Sequence, residues 1–109
     1  MRTVLHVYYA EKMQHELDWR QRGRYIAKHG MTPTLAHEAW RDPNRLVLDP
    51  DPSSLSGRTV RVIGWSSIFG ALVTVIALPD DDVTWGVNAW PSNTTDQQRY
   101  RQESDDGDR

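Results

Sequence analysis

The sequence contains no cysteine, and this absence excludes a disulfide framework, a thiol nucleophile and thiolate metal ligands. It also lacks any apolar run near the roughly 20 residues that a membrane-spanning helix requires. The longest apolar stretch, from Phe69 to Leu78, contains Gly70 and is followed by Pro79, so it is typical of a buried strand. The N-terminal residues, MRTVLHVYYAEK, have neither the long apolar segment nor the cleavage site of a secretory signal. We therefore expect a cytoplasmic protein that makes no membrane contact.

Lysine is scarce, with two residues against 11 arginines, and the net charge of -2 conceals an uneven distribution. Residues 1–61 contain ten Lys or Arg and seven Asp or Glu, whereas residues 62–109 contain three and eight. If the chain binds nucleic acid, the first half should therefore supply most of the contacts. The length of 109 residues favours one domain with one hydrophobic core.

The histidines and aspartates do not have the spacing of a metal site. The four histidines, at positions 6, 15, 29 and 37, lack the close H-x-x-x-H pattern that puts two ligands on one helical face. Asp80, Asp81 and Asp82 lack the glycine and the distal glutamate of a calcium-binding loop. We therefore expect neither a metal ion nor another cofactor.

A first helix is predicted over residues 18–29. Asp18 is followed three positions later by Gln21, which is the capping-box pattern of a helix start. In such a helix Arg20, Arg24 and Lys28 would form an i, i+4, i+8 stripe on one side. Gly30 is placed to end the helix, because glycine readily adopts the left-handed conformation of a helix C-cap.

A second helix is predicted directly after the first. Thr32 is suited to the N-cap, Pro33 to the first helical position, and Asp42-Pro43 to the end of the helix. Its predicted buried face consists of Leu35, Ala36, Ala39 and Trp40.

The apolar period then changes from 3.6 to 2, which predicts strands. The expected strands are Arg45–Leu48, Thr59–Trp65, Ala71–Leu78 and Val83–Ala89, and in the last of them Val83, Trp85, Val87 and Ala89 should share a face. The third strand is apolar on both faces and should be central. Thr95 to Gln98 repeats the capping-box pattern and predicts a closing helix to about Glu103.

These elements predict an α+β fold with one domain over residues 15–103. Two N-terminal helices should pack on one side of a roughly four-stranded antiparallel sheet, and a C-terminal helix should close the chain. Residues 1–14 are predicted to be an N-terminal extension or an extra strand. Residues 104–109 are predicted to be a disordered acidic tail.

Three segments of the chain resemble motifs of the BrnT-type toxins, which are small relatives of the RelE-like ribonucleases. The first segment, Lys28-His29-Gly30-Met31 followed by Ala36, Glu38 and Asp42-Pro43, resembles the family's KHG, its next helix and its DP exit. The second, Ile63-Gly64-Trp65-Ser66 with Gly70, resembles IG-x-S and the glycine of the next hairpin. The third, Val87 to Tyr100, aligns without a gap on ISAR-x-A-T-x-x-E-R-x-x-Y. Together the resemblance spans about residues 17–103.

The third segment departs from the family at its charged positions. Trp90 and Gln97 stand where the family has arginine, Asn93 where it has threonine, and Asp96 where it has glutamate. Most of the cationic C-terminal motif is therefore missing.

The resemblance implies a metal-independent ribonuclease that inhibits growth and is silenced, in an oligomer, by a small DNA-binding antitoxin protein. Such an enzyme activates the ribose 2′-OH, stabilises a phosphorane and protonates the leaving oxygen of its RNA substrate. The candidates that the resemblance implies are Lys28, His29, Arg58 or Arg61, Asp96, Arg99 and Tyr100. In this scheme His29 or Asp96 is the base, the arginines hold phosphate, and Tyr100 orients it.

Each candidate also has a structural interpretation. His29 can interact with the last carbonyls of its helix, Lys28 can belong to a solvated face or to an antitoxin contact, and Asp96 can be a first-turn acid. Tyr100 and Trp90 can be packing residues.

The alternative function is accordingly a BrnT-like protein that has lost catalysis and acts as a protein-binding or regulatory module, for example in a phage or mobile element. A pocket lined by Lys28 and two arginines would favour the enzyme. An exposed Trp65, Trp85 or Trp90 would favour a partner surface.

Overall fold

The computed structural model describes residues 16–107, with side chains described as far as residue 102. The predicted N-terminal extension therefore lies outside the described residues, as do the last two residues of the predicted acidic tail. In chain order the elements are β1 (Leu17–Asp18), α1 (Gly23–Ile26), a 3-10 turn (Ala27–His29), α2 (Pro33–Arg41), β2 (Leu46–Leu48), β3 (Val60–Ser66), β4 (Ala71–Asp80), β5 (Val83–Pro91) and α3 (Thr94–Gly107). None of the described helices is both long and apolar enough to span a bilayer.

The strands form one sheet in the order β1-β5-β4-β3-β2. Strands β2 to β5 are antiparallel neighbours and β4 lies at the centre, so the α+β class and these four strands are confirmed. The sheet is nevertheless mixed, because Leu17 and Asp18 pair in parallel with Thr84 and Trp85. This fifth strand was not predicted, since two residues are too few to produce a visible alternation.

The predicted first helix is wrong at its start. Asp18 belongs to β1, and its Oδ1 accepts a hydrogen bond from the Arg20 backbone N–H at 3.0 Å. A carboxylate that bonds the backbone two residues later stabilises a turn rather than a helix start. The helix begins only at Gly23, so Arg20 does not extend a helical stripe and instead pairs with Asp18. The predicted end is confirmed, because Gly30 is left-handed with φ 75°.

The second predicted helix is confirmed at both ends. Thr32 is its N-cap, with Oγ1 accepting from the Leu35 N–H at 3.3 Å, Pro33 opens the helix, and Asp42 follows its last residue. The Thr32 hydroxyl satisfies one of the free N–H groups at the helix start, and Pro33 has no N–H that would need a partner. The helix packs Ala36, Ala39 and Trp40 into the core.

The main core lies between this helix and one face of the sheet. It includes Ile26, Met31, Ala36, Ala39, Trp40, Val60, Val62, Val73, Val75 and Ala77. The packing is close enough to require glycine at two positions. A Cβ on Gly64 would lie 2.1 Å from the Ala39 carbonyl oxygen, and a Cβ on Gly86 would lie 2.3 Å from the Trp19 ring.

The C-terminal helix, whose face was not predicted, lies on the face of the sheet opposite α2. Arg61 of β3 and Thr74 of β4 alternate with the core valines, and both bond Asp96 of α3. The N-cap of α3 is Asn93, whose Oδ1 accepts from the Asp96 N–H at 2.9 Å, and not Thr95 as predicted. The helix extends past Glu103, its predicted end, to Gly107.

A bulge in β5 overturns the predicted face of the last strand. The register changes from Ile76 opposite Asn88 to Ala77 opposite Gly86, which leaves Val87 as an extra residue. A single extra residue moves the following side chains to the other face. Ala89 is therefore buried in the core, whereas Trp85 lies on the other face and is half-buried.

Candidate functional site

The structure separates the predicted site residues into groups on the two faces of the sheet. Lys28 and His29 end the 3-10 turn on the core side, next to the buried Ile26. Arg61 and Asp96 meet under α3 on the opposite face. Arg58 lies in the exposed loop before β3, where its backbone N–H donates to Ser56 Oγ at 3.2 Å. The described residues therefore do not assemble the single catalytic group that the resemblance implies.

Asp96 is the centre of a buried polar group that we name the Asp96 cluster. The cluster consists of Asp51, Arg61, Thr74, Ser92, Asp96 and Arg99. Asp96 is fully buried, and its Oδ1 accepts from Arg61 Nη1 at 3.0 Å and from Arg99 Nη1 at 2.9 Å. Its Oδ2 accepts from the Thr74 hydroxyl at 2.9 Å. Both carboxylate oxygens are occupied by donors, so Asp96 is unsuited to accept a proton from a substrate.

Arg61 is held between two carboxylates of this cluster. Its Nε donates to Asp51 Oδ1 at 2.8 Å while its Nη1 binds Asp96, and only 7% of the residue is exposed. Its guanidinium also lies 5.6 Å from the centre of the Trp90 ring. Two aspartates therefore balance two arginines, and of these four only Arg99 is partly exposed, which is the arrangement of a structural ion cluster and not of a phosphate-binding surface.

Tyr100 connects α3 to the end of α2. Its hydroxyl donates to Asp42 Oδ2 at 2.9 Å, and the same oxygen accepts from the Trp65 N–H at 2.8 Å. Asp42 Oδ1 accepts from the Asn44 N–H at 2.8 Å. Asp42 and Tyr100 are both residues of the family motifs, and here they bond each other across 58 positions. The structural interpretation of Tyr100 is therefore favoured over a catalytic one.

Lys28 and His29 belong to an accessible group that we name the Tyr25 cluster, formed by Arg22, Tyr25, Lys28 and His29. Lys28 Nζ lies 3.6 Å and the Arg22 guanidinium carbon 3.7 Å from the centre of the Tyr25 ring. The His29 ring meets the Tyr25 ring edge to face, with 6.0 Å between centroids. Arg22 is fixed on the sheet because its Nε donates to the Val87 carbonyl at 3.0 Å.

The electrostatics of the Tyr25 cluster favour an anion. The hydrogen bond and the charge of Lys28, with a smaller contribution from Arg22, hold the pKa of the Tyr25 hydroxyl below its usual value. The two cations lie over the half-buried Tyr25 ring and can contact the phosphates of a nucleic acid. Arg22 and Tyr25 were not among the predicted site residues. Their spacing to Lys28, three positions in each step, was the available signal.

A third feature is an apolar surface at the β3–β4 hairpin. We name Trp65, Ile68 and Phe69 the hairpin patch, and they are 47%, 69% and 38% exposed. Beside the patch is an open cleft of about 290 Å³, lined by Trp65, Gly70, Ala71, Leu72, Gln97, Tyr100 and Arg101. Exposure of Trp65 is the feature that was expected of a partner surface, whereas Trp85 and Trp90 are half-buried.

No family model, curated protein or solved structure matches this chain. Within the described part of the chain, no three His, Asp or Glu side chains lie close enough together to hold a metal ion. The function is therefore inferred from the contacts of the chain's own residues in these three places.

Proposed function

We propose that the chain is a BrnT-like toxin of a toxin–antitoxin pair and that it acts on RNA through the Tyr25 cluster. The observation that carries this proposal is the placement of Lys28 and Arg22 within 4 Å of one accessible tyrosine ring. RNA binds largely through its phosphates, and the cluster supplies two cations to contact them. The position of Lys28 and His29 in the motif that resembles the family's KHG supports the same assignment.

The cluster also contains groups suited to cleavage of RNA. In the proposed step, His29 accepts the proton of the ribose 2′-OH as that oxygen attacks the adjacent phosphorus. Lys28 and Arg22 stabilise the added negative charge, and Tyr25 donates its proton to the departing 5′ oxygen. The products are a 2′,3′-cyclic phosphate and a free 5′-OH. The lowered pKa of Tyr25 supports its role as the proton donor.

The second candidate function is a protein-binding module without catalysis. Two observations favour it: Asp96 and Arg61 are committed to a buried cluster, and the hairpin patch is exposed. Trp90, in the place of an arginine of the family, lies beside Arg61 and not at the surface of the Tyr25 cluster.

Inducible expression in a bacterium, with growth and total RNA followed over time, distinguishes the two functions. The variants are the intact chain, the double variant Lys28→Ala with His29→Ala, and Arg58→Ala as a control that removes an exposed cation elsewhere. We expect growth arrest and RNA loss from the intact chain and from Arg58→Ala, but not from the double variant. Equal arrest by all three would reject the Tyr25 cluster as the site. Absence of arrest from the intact chain, when it is folded by circular dichroism, would favour the second function.

A further inference from the structure

The hairpin patch is presented by a turn with a fixed conformation. The buried Ser66 hydroxyl donates to Glu38 Oε1 at 2.7 Å and accepts from the Phe69 N–H at 3.1 Å. The same glutamate oxygen accepts from the Ile68 N–H at 2.9 Å, and the Gly70 N–H donates to the Ser66 carbonyl at 2.7 Å. Glu38 of helix α2 therefore holds the turn in place, while the apolar side chains of Ile68 and Phe69 in the turn are exposed. A preformed turn loses little conformational entropy when it binds a partner.

The cleft beside the patch has a distinct chemistry. Among the residues whose side chains are described, its lining combines apolar groups with the Gln97 amide, the Tyr100 hydroxyl and one charged side chain, Arg101, and includes no acidic side chain. Arg101 is exposed, and among the residues whose side chains are described it forms no ion pair. An arginine that borders an apolar cleft can pair with a carboxylate through charge-assisted hydrogen bonds.

The dimensions of the cleft suit a segment of a protein better than a small-molecule ligand. A volume of about 290 Å³ accommodates one or two side chains and lies at the lower end of small-ligand pockets. The exposed Ile68 and Phe69 continue the apolar surface beyond the cleft, which suits a larger partner. The patch carries too little positive charge for RNA, which binds mainly through its phosphates.

We infer that the hairpin patch and its cleft bind an acidic, amphipathic segment of a partner protein. One apolar side chain of the segment enters the cleft between Trp65 and Tyr100, a neighbouring carboxylate pairs with Arg101, and further apolar side chains cover Ile68 and Phe69. This surface is separate from the Tyr25 cluster, so the inference does not depend on the proposed action on RNA.

Two fluorescein-labelled helical peptides test the inference on the full chain. In one peptide leucines recur at spacings of three and four with glutamates between them, and in its twin lysines replace the glutamates. We expect the glutamate peptide to bind and to shift the NMR signal of the Trp65 indole N–H. Ile68→Ser should weaken binding without unfolding the chain, because Ile68 is 69% exposed.

Charge reversal provides the decisive comparison. Arg101→Glu should weaken the glutamate peptide about tenfold and improve binding of the lysine peptide. Arg24→Glu, which reverses another exposed arginine on α1, should leave both affinities unchanged. Equal binding of the two peptides, equal effects of the two reversals, or no binding of either peptide would overturn the inference. A dimer in sedimentation that Ile68→Ser dissociates would overturn it as well, because a second copy of the chain would then occupy the patch.

Discussion

The Asp96 cluster and the Tyr25 cluster lie on opposite faces of one sheet, and both place arginine near an aromatic ring. In the Asp96 cluster Arg61 is 7% exposed, contacts Asp51 and Asp96, and lies beside Trp90. In the Tyr25 cluster, within the described part of the chain, Arg22 and Lys28 form no ion pair and lie over a ring that solvent reaches. Burial and carboxylate partners, not residue type, therefore decide whether a cation stabilises the fold or is available to a ligand.

The largest effect is expected from breaking the Asp96 cluster. Asp96→Ala leaves the buried Arg61 with one carboxylate partner instead of two, and loss of a partner from a buried ion pair costs about 3 kcal/mol. The free energy of unfolding should fall by this amount in urea denaturation. Thr95→Ala, at the exposed neighbouring position, should change it by less than about 0.5 kcal/mol. A loss below about 1 kcal/mol for Asp96→Ala would mean that the cluster is not structural.

Two tyrosine variants distinguish a structural hydroxyl, that of Tyr100, from the proposed catalytic hydroxyl of Tyr25. Tyr100→Phe removes the hydrogen bond to Asp42 and should lower the free energy of unfolding by about 1.5 kcal/mol while RNA binding is retained. Tyr25→Phe should keep the stability and, because Arg22 and Lys28 remain, keep RNA binding, but it should abolish cleavage since the proton donor is lost. Urea denaturation, RNA affinity and analysis of cleavage products check the three quantities. Loss of cleavage in a stable Tyr100→Phe variant would instead make Tyr100 catalytic.

The smallest effect concerns the pKa of Tyr25. Lys28 lowers this pKa, so its phenolate forms at a lower pH than that of an ordinary tyrosine. Lys28→Met should therefore raise the pKa towards its usual value, which ultraviolet absorbance of the phenolate follows during a pH titration. Tyr25→Phe identifies the transition by removing it. An unchanged titration in Lys28→Met would show that the ammonium group does not act on the ring.

Local rules predicted the parts of the fold that depend on neighbouring residues. Thr32 caps α2 through its hydroxyl, Pro33 suits the first helical position because it has no N–H, and Gly30 adopts the left-handed conformation. These boundaries therefore agree with the sequence. Asp18 misled the same rules, because its carboxylate bonds Arg20 in a turn instead of capping a helix. The bulge at Val87 also left no sequence signal, and it places Trp85 and Ala89 on opposite faces instead of the one face predicted.

The candidate sites were less predictable because they depend on distant contacts. Asp96 and Arg61 are 35 positions apart in the chain. They meet only because α3 packs on the face of the sheet from which Arg61 projects. The motif residues Glu38 and Ser66, like Asp42 and Tyr100, prove to bond each other. These residues of the quoted segments therefore hold α2 to β3 and to α3, which is a structural role.

The salt dependence of single-stranded RNA binding tests the central assignment most directly. Fluorescence anisotropy with a labelled oligouridylate would compare the intact chain, the double variant Arg22→Met with Lys28→Met, and the matched double variant Arg58→Met with Arg101→Met. Each phosphate contact contributes about 0.7 to the slope of log K against log salt for a single strand. We expect the first double variant to lower the slope by about 1.4 and the second to leave it unchanged. Equal slopes for the intact chain and the Arg22/Lys28 variant would show that the Tyr25 cluster does not contact RNA.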